Sequence, residues 1–394
     1  MSALMQEPAV QAALDAAKRN EPQTIEDQIR LCEVPAPPFT EQRRGQMYRR
    51  MFEQLGLRNV RIDAAGNVIG ERPGRQARPN LVFSAHLDTV FPEGTGVLVK
   101  REGAVLKGPG IGDDCRGLAV VLAVIRALNQ AKVETAGTIT FVGTVGEEGL
   151  GDLRGVKQLF NDTLKGRIDK FVSVDGTGNG IVHIGVGSFR YKVIFKGPGG
   201  HSYGAFGMAN PIHALGRAMA KISEFQVPAS PKTTFNIGRT GGGTSVNAIP
   251  FEAWMEVDMR SADMASLMAV DVKFKAAVQQ GLDEENARWG GRGKLSVAVE
   301  LVGLRPGGRT SEDSAIVRTA MGVAAALGQS VQLREGSTDS NVAMMLGIPA
   351  ITMSGGGAGQ GAHSLGESFD TTNSWQGTQR ALLTAIALSG ALAR

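Results

Sequence analysis

Cysteine is scarce in this chain: two residues, Cys32 and Cys115, in 394. Two thiols so far apart build no disulfide framework, which points to a reducing setting and a cytoplasmic location. No apolar stretch reaches the roughly 18 residues that a membrane span needs, so none is expected. The N-terminus, MSALMQEPAVQAALDAAKRN, lacks the positive start and apolar core of a secretory signal. Runs of about five or six like charges are missing too, so there is neither a basic arm nor an acidic tail. Net charge is only +4, from 42 basic and 38 acidic residues spread along the chain, which argues against a nucleic-acid partner. Histidine is rare enough to be weighed residue by residue: His86, His183, His201, His213 and His363.

What is abundant is glycine, 53 residues, many in clusters that read as functional turns. The length suggests two or three domains. Apolar periodicity places helices at 5–19, 23–33 and 40–55, then a hairpin turned at Ala65-Gly66-Asn67. Buried parallel strands are expected at 80–85, 138–145, 171–175 and 349–353, with a very apolar helix at 115–129. This alternation gives an α/β catalytic domain with a mostly parallel sheet flanked by helices. Residues 189–302 have another texture: strand 189–196, helix 211–224, strands 233–239 and 250–260, helix 262–281 and strand 294–302. That order is the ferredoxin-like plan. The expected division is a catalytic domain of 1–187 and 304–394 with an inserted α+β domain at 188–303.

Chemistry-bearing residues gather where strands end. His86-Leu87-Asp88 follows strand 80–85 directly, and alternate residues of an extended chain share a face. His86 can ligate a metal while Asp88 holds its other ring nitrogen. GPGIGDDCRG puts Asp113 and Asp114 at a helix entry. Adjacent carboxylates repel, so a cation between them is one reading and a plain helix cap is the other. Glu147 and Glu148 follow a buried strand between Gly146 and Gly149. One can take a metal and the other stay free as general base, or both can be helix-entry acids favoured by the macrodipole. Asp175 ends the strand FVSVD, and His363 sits in the glycine-rich GAHSLGE; taken alone, the first reads sooner as a turn acid and the second as a loop histidine.

Taken together, HLDTV, GPGIGDD, GEEG, VDG, GPGGHS and GAHS resemble the dizinc metallopeptidase family of carboxypeptidase G, peptidase T, succinyl-diaminopimelate desuccinylase and aminoacylase. The resemblance spans about residues 25–390. It implies a zinc-peptidase-like catalytic domain and an inserted lid that dimerises the chain. By motif, it implies that His86 and Asp175 bind one metal, Glu148 and His363 the other, and that Asp113 bridges them. Asp88 matches the acid that orients the histidine. Glu147 matches the general base, which takes a proton from the attacking water and passes it to the leaving nitrogen. His201 matches a lid histidine that polarises the carbonyl in the partner subunit's site. Asn247 and Arg260 match lid positions that hold the substrate, often through a carboxylate. The cofactors implied are two divalent ions, zinc first, with cobalt or manganese open to the same ligands. The substrates implied are short peptides or, alternatively, N-acyl amino acids. Where relatives often have lysine then glycine, this chain has Cys115 and Arg116.

Two other classes compete with this reading. Gly200-His201-Ser202-Tyr203-Gly204 fits a serine-hydrolase elbow, with Asp339 and His363 following in the expected order. The context fails, since Gly197-Pro198-Gly199 separates the strand from Gly200 and the next helix waits until Pro211. A non-catalytic binding protein of the same fold would have lost a ligand or Glu147, and none is lost. His183 and His213 match nothing and read as structural.

Overall fold

The computed structural model describes residues 1–390. The chain forms two compact units, Met1–Gly185 together with the chain from Arg309 onward, and Val186–Gly308.

The first unit is built on a nine-stranded sheet among the described residues. At its centre Thr138–Thr144, Asn80–His86, Lys170–Val174 and Ala350–Met353 lie side by side, all parallel. Asn80–His86 is buried at every position, as a near-continuous apolar run in a doubly covered sheet should be. Its side chains alternate between two cores. Leu81, Phe83 and Ala85 pack with the helices on one face, whereas Val82 joins Leu153, Leu159 and Phe160 on the other. The expected hairpin is present, with Arg58–Ile62 antiparallel to Val68–Arg72.

Helix Cys115–Gln130 is apolar almost all round because it is packed on both sides. It meets strands Asn80–His86 and Lys170–Val174 on one side and helices Pro8–Arg19, Glu21–Cys32 and Trp375–Ser389 on the other. Its first turn is held by Asp114, whose carboxylate accepts from the Gly117 amide at 3.0 Å. At Gly117 a Cβ would stand 2.4 Å from the Val174 carbonyl oxygen, so only glycine lets the helix come this close to the strand end.

Several elements had no clear sequence signal. The strand Gln332–Gly336 runs parallel to Gly180–Gly185. A small antiparallel sheet joins Ala358–Gln360, Ser368–Asp370, Val105–Lys107 and Lys100–Glu102, and it carries the loop of His363. Residues 5–19 are split into Ser2–Gln6 and Pro8–Arg19, because Pro8 starts a new helix.

The second unit runs strand Gly187–Lys196, helix Pro211–Ser223, strands Thr233–Gly242 and Glu252–Ser261, helix Met264–Arg288 and strand Ser296–Arg305. Its main sheet is antiparallel, in the order Thr233–Gly242, Glu252–Ser261, Gly187–Lys196, Ser296–Arg305. Along Glu252–Ser261 every second residue is buried, and Ala253, Met255, Val257 and Met259 form a core with Leu215, Ala218, Phe274 and Val278 of the two helices.

Candidate metal centre

Three neighbouring parallel strands end on the same side of the sheet, the place where open α/β sheets carry their sites. His86 is the last residue of the first strand, Glu147 and Glu148 follow the second by a short turn, and Asp175 follows the third. Asp113 comes in from the turn before helix Cys115–Gln130, and His363 from the loop of the small sheet.

These residues form two donor groups. In one, His86, Asp113 and Asp175 offer atoms within 4.8 Å of one another; in the other, Asp113, Glu148 and His363 do the same. Asp113 belongs to both. Its Oδ1 lies 3.1 Å from His86 Nε2 and its Oδ2 3.0 Å from His363 Nε2. His363 Nε2 is also 2.9 Å from Glu148 Oε1, and His86 Nε2 is 3.8 Å from Asp175 Oδ1. Ligands about 2.0–2.2 Å from a tetrahedral zinc are spaced by roughly 3–4 Å, so the separations fit a cation in each group. Glu147 is close enough to join His86 and Glu148 in a third grouping, so the geometry alone leaves its role open between ligand and base.

The electrostatics favour cations. Asp88, Asp113, Asp114, Glu147, Glu148 and Asp175 crowd around two imidazoles. Burial works against a charged His86, yet hydrogen bonds and charge from Asp113, Asp114, Asp175 and Asp88 outweigh it and hold its pKa well above the ordinary value. Hydrogen bonds that His363 donates to Asp113 and Glu148 push its pKa up to about 10. Burial, added to by Asp175 and Asp113, pushes Asp114 well up. Both histidines thus report a strongly negative cage.

His86 is oriented by Asp88, through the backbone as well as the side chain. Its Nδ1 donates to the backbone carbonyl of Asp88 at 3.0 Å, which turns Nε2 toward the carboxylates of Asp113 and Asp175. The Asp88 carboxylate stands 3.7 Å from Nδ1 and is also used elsewhere. Its Oδ1 accepts from the Glu147 amide at 3.0 Å and its Oδ2 from the Glu148 amide at 2.8 Å. The tight turn after Thr144 points both amides at it, so Asp88 holds the two glutamates as well as facing the ring. Asp114 is a cap, as one reading had it, and also accepts from the amides of His86 at 3.1 Å and Gly176 at 3.2 Å.

Other contacts around the site had no sequence signal. Glu367 accepts from the amides of Gly110, Gly112 and Asp113. Buried Asp339 accepts from Thr144 Oγ1 at 2.5 Å. Arg116 pairs with Glu21 at 2.9 Å, both buried. A GAHSLGE motif marks a site loop, but nothing in it says which carboxylate bonds where.

His201, Asn247 and Arg260 lie in the second unit. The backbone of Gly200–His201 pairs with Ala248–Ile249, and the Asn247 carbonyl accepts from the Ser202 amide at 2.9 Å, so His201 and Asn247 are neighbours. His201 is exposed, and its Nδ1 accepts from the amides of Tyr203 at 3.2 Å and Gly204 at 3.3 Å. Arg260 stands apart in the main sheet, where its Nε donates to Asp258 at 2.7 Å. His183 bonds the Thr310 carbonyl and His213 lies 3.5 Å from Glu285, so both have structural partners.

The chain is 28% identical over 355 residues to the protein YqjE of Bacillus subtilis (strain 168), covering 86% of this chain and 91% of that one. It is 27% identical to carboxypeptidase G2 of Pseudomonas sp. (strain RS-16), covering 63% of this chain and 65% of the relative. It is 26% identical to N-acetylcysteine deacetylase of B. subtilis, covering 61% and 65%. The chain therefore spans about two thirds of the length of these last two. In fold it is similar to the crystal structure of aminopeptidase PepT from Bacillus cereus, with a TM-score of 0.73 at 23% identity, covering 93% of this chain and 98% of the other. Residues 82–387 match the model of peptidase family M20/M25/M40, and the chain belongs to that family.

Proposed function

We propose that the protein hydrolyses amide bonds of short peptides with two divalent cations and a glutamate base. The observation that carries this is the pair of donor groups sharing Asp113. His86 and Asp175 would complete one group, Glu148 and His363 the other, with imidazole nitrogen and carboxylate oxygen as donors suited to zinc, and to cobalt or manganese. Cations bound there supply Lewis-acid chemistry, acidifying water and stabilising negative charge on a carbonyl oxygen.

The protein's own groups do the rest. Glu147, buried beside Glu148, takes a proton from the attacking water and delivers it to the leaving nitrogen. Asp88 holds the Glu147 and Glu148 amides, so the two carboxylates keep separate directions. His201 accepts two amides at Nδ1, which in the neutral ring leaves the proton on Nε2 as a donor for the substrate carbonyl. Asn247 and Arg260 bind the substrate, Arg260 through a carboxylate for which Asp258 now stands in.

The second unit is read as a ferredoxin-like lid through which two chains associate. Val299, Leu301 and Leu304 are exposed on its edge strand Ser296–Arg305, which supports this. A monomer mass by light scattering at working concentration would contradict it. Both cysteines are free and buried, in keeping with a cytoplasmic setting, and among the described residues no helix is long and apolar enough to cross a membrane.

The likeness to N-acetylcysteine deacetylase favours a second reading, N-acyl amino acid hydrolysis. Di- and tripeptides set against N-acyl amino acids on the metal-loaded protein, read by mass spectrometry, decide between the two. Glu147→Gln tests the base: it should keep both cations and lose about 10²–10⁴-fold in kcat. Turnover near the wild-type rate would remove Glu147 from that role.

A further inference from the structure

Glu367 has no assigned role, yet its carboxylate accepts from three backbone amides beside the candidate metal centre. It is buried, at 2% exposure, and lies four residues after His363. Its Oε2 accepts from the Gly110 amide at 2.8 Å, and its Oε1 accepts from the amides of Gly112 at 2.8 Å and Asp113 at 3.0 Å. Its backbone carbonyl accepts from the Gly108 amide at 3.0 Å. The turn that delivers Asp113 is therefore wrapped around this one side chain.

We infer that Glu367 is the positioning residue that couples the Asp113 turn to the His363 loop, so that the two metal ligands move as one body. This rests on the reading of the site as a two-cation centre. Asp113 shows its amide to Glu367 and its carboxylate to His86 and His363. His363 reaches the same carboxylate from the segment that carries Glu367. The ring of contacts closes through Asp113, His363 and the chain from 363 to 367, linking parts of the sequence some 250 residues apart. Only a carboxylate offers acceptors at both positions. Glutamine turned to satisfy Gly112 and Asp113 would set its amino group against the Gly110 N–H; turned the other way, it would lose two acceptors. The approach also needs a bare backbone, since a Cβ on Gly112 would lie 3.2 Å from Glu367 Oε1 and 2.9 Å from Thr177 Cγ2.

The test compares wild type, Glu367→Gln and Gly112→Ala. Each is stripped with chelator, checked for folding by circular dichroism, and titrated with Co²⁺ while the visible spectrum is recorded. Glu367→Gln keeps the side-chain volume and should fold; Gly112→Ala disturbs the same clamp from the other side. Residues that orient metal ligands typically change metal affinity or activity by 10–100-fold. Both variants should therefore lose about 10–100-fold in Co²⁺ affinity and change the ligand-field bands. In Glu367→Gln, kcat should fall by a similar factor while KM stays within about threefold. Hydrogen exchange should quicken at the amides of Gly110, Gly112 and Asp113 in the stripped Glu367→Gln protein. Wild-type affinity, spectrum and exchange in Glu367→Gln would overturn the inference. If wild type itself binds no Co²⁺, it is the metal reading that fails. Amide exchange then decides the clamp alone: quickened exchange supports it, and unchanged exchange overturns it.

Discussion

Asp339 shows how a single buried acid responds to a site crowded with its own kind. It lies beneath the strand ends with Oδ1 unbonded and Oδ2 accepting from Thr144. Burial, with Asp88 and Asp175 adding to it, pushes its pKa up to about 6. A carboxyl whose folded pKa is raised binds its proton more tightly in the fold, so ionising it costs stability. That cost is absent below about pH 4 and complete above about pH 6. Asp339→Asn removes the charge and keeps an acceptor for Thr144. In chelator-stripped protein it should gain up to about 3 kcal/mol over wild type at pH 7.5 and little at pH 4. Urea midpoints at the two pH values measure this; a variant less stable than wild type at pH 7.5 would contradict it. Legibility at this scale divided by chemistry. Asp113 and Glu148 stood out because each sits in a glycine-flanked turn at a buried element's end, and His86 because it ends a buried strand. Asp88 was found, but its bond was not: no spacing says that its carboxylate turns toward amides 59 and 60 residues away.

Among elements, the helix Cys115–Gln130 carries most of the arrangement. Its entry turn presents Asp113, its cap Asp114 reaches three amides, and its second residue Arg116 is sunk in the core. Arg116 pairs with Glu21 and donates to the carbonyls of Gly355 at 2.9 Å and Ser374 at 2.7 Å. The departure from the related motif at this position thus ties three elements to the helix start. Removing one partner of a buried pair leaves the other charge stranded. Arg116→Met should therefore cost about 3–5 kcal/mol in denaturant unfolding, and Glu21→Gln added to it should recover part of that. Additive losses in the double variant would contradict the pairing. The buried strands and this helix were legible because their apolar runs end at small residues and turns. The short strands of the small sheet were not, since three-residue segments such as Ser368–Asp370 carry no periodicity. The clamp of Glu367 was hidden for the same reason as the Arg116 pair: its partners are far off in sequence.

Over the whole molecule, a parallel sheet gathers three strand ends and the candidate ligands on them, and an antiparallel unit with its own core holds His201. The alternation of strands and helices, and the change of texture near 189, were legible because side-chain period follows burial on one face or two. Family membership accords with the metal chemistry but leaves the amide open, between peptides and N-acyl amino acids. We propose that hydrolysis depends on two cations sharing Asp113. The direct measurement is a zinc titration of chelator-stripped protein by calorimetry, with amide hydrolysis assayed at each point. Activity should be absent at the start, rise as zinc binds and reach its plateau at two zinc ions per chain. Full hydrolysis by the stripped protein, or a plateau with no zinc bound, would contradict the account.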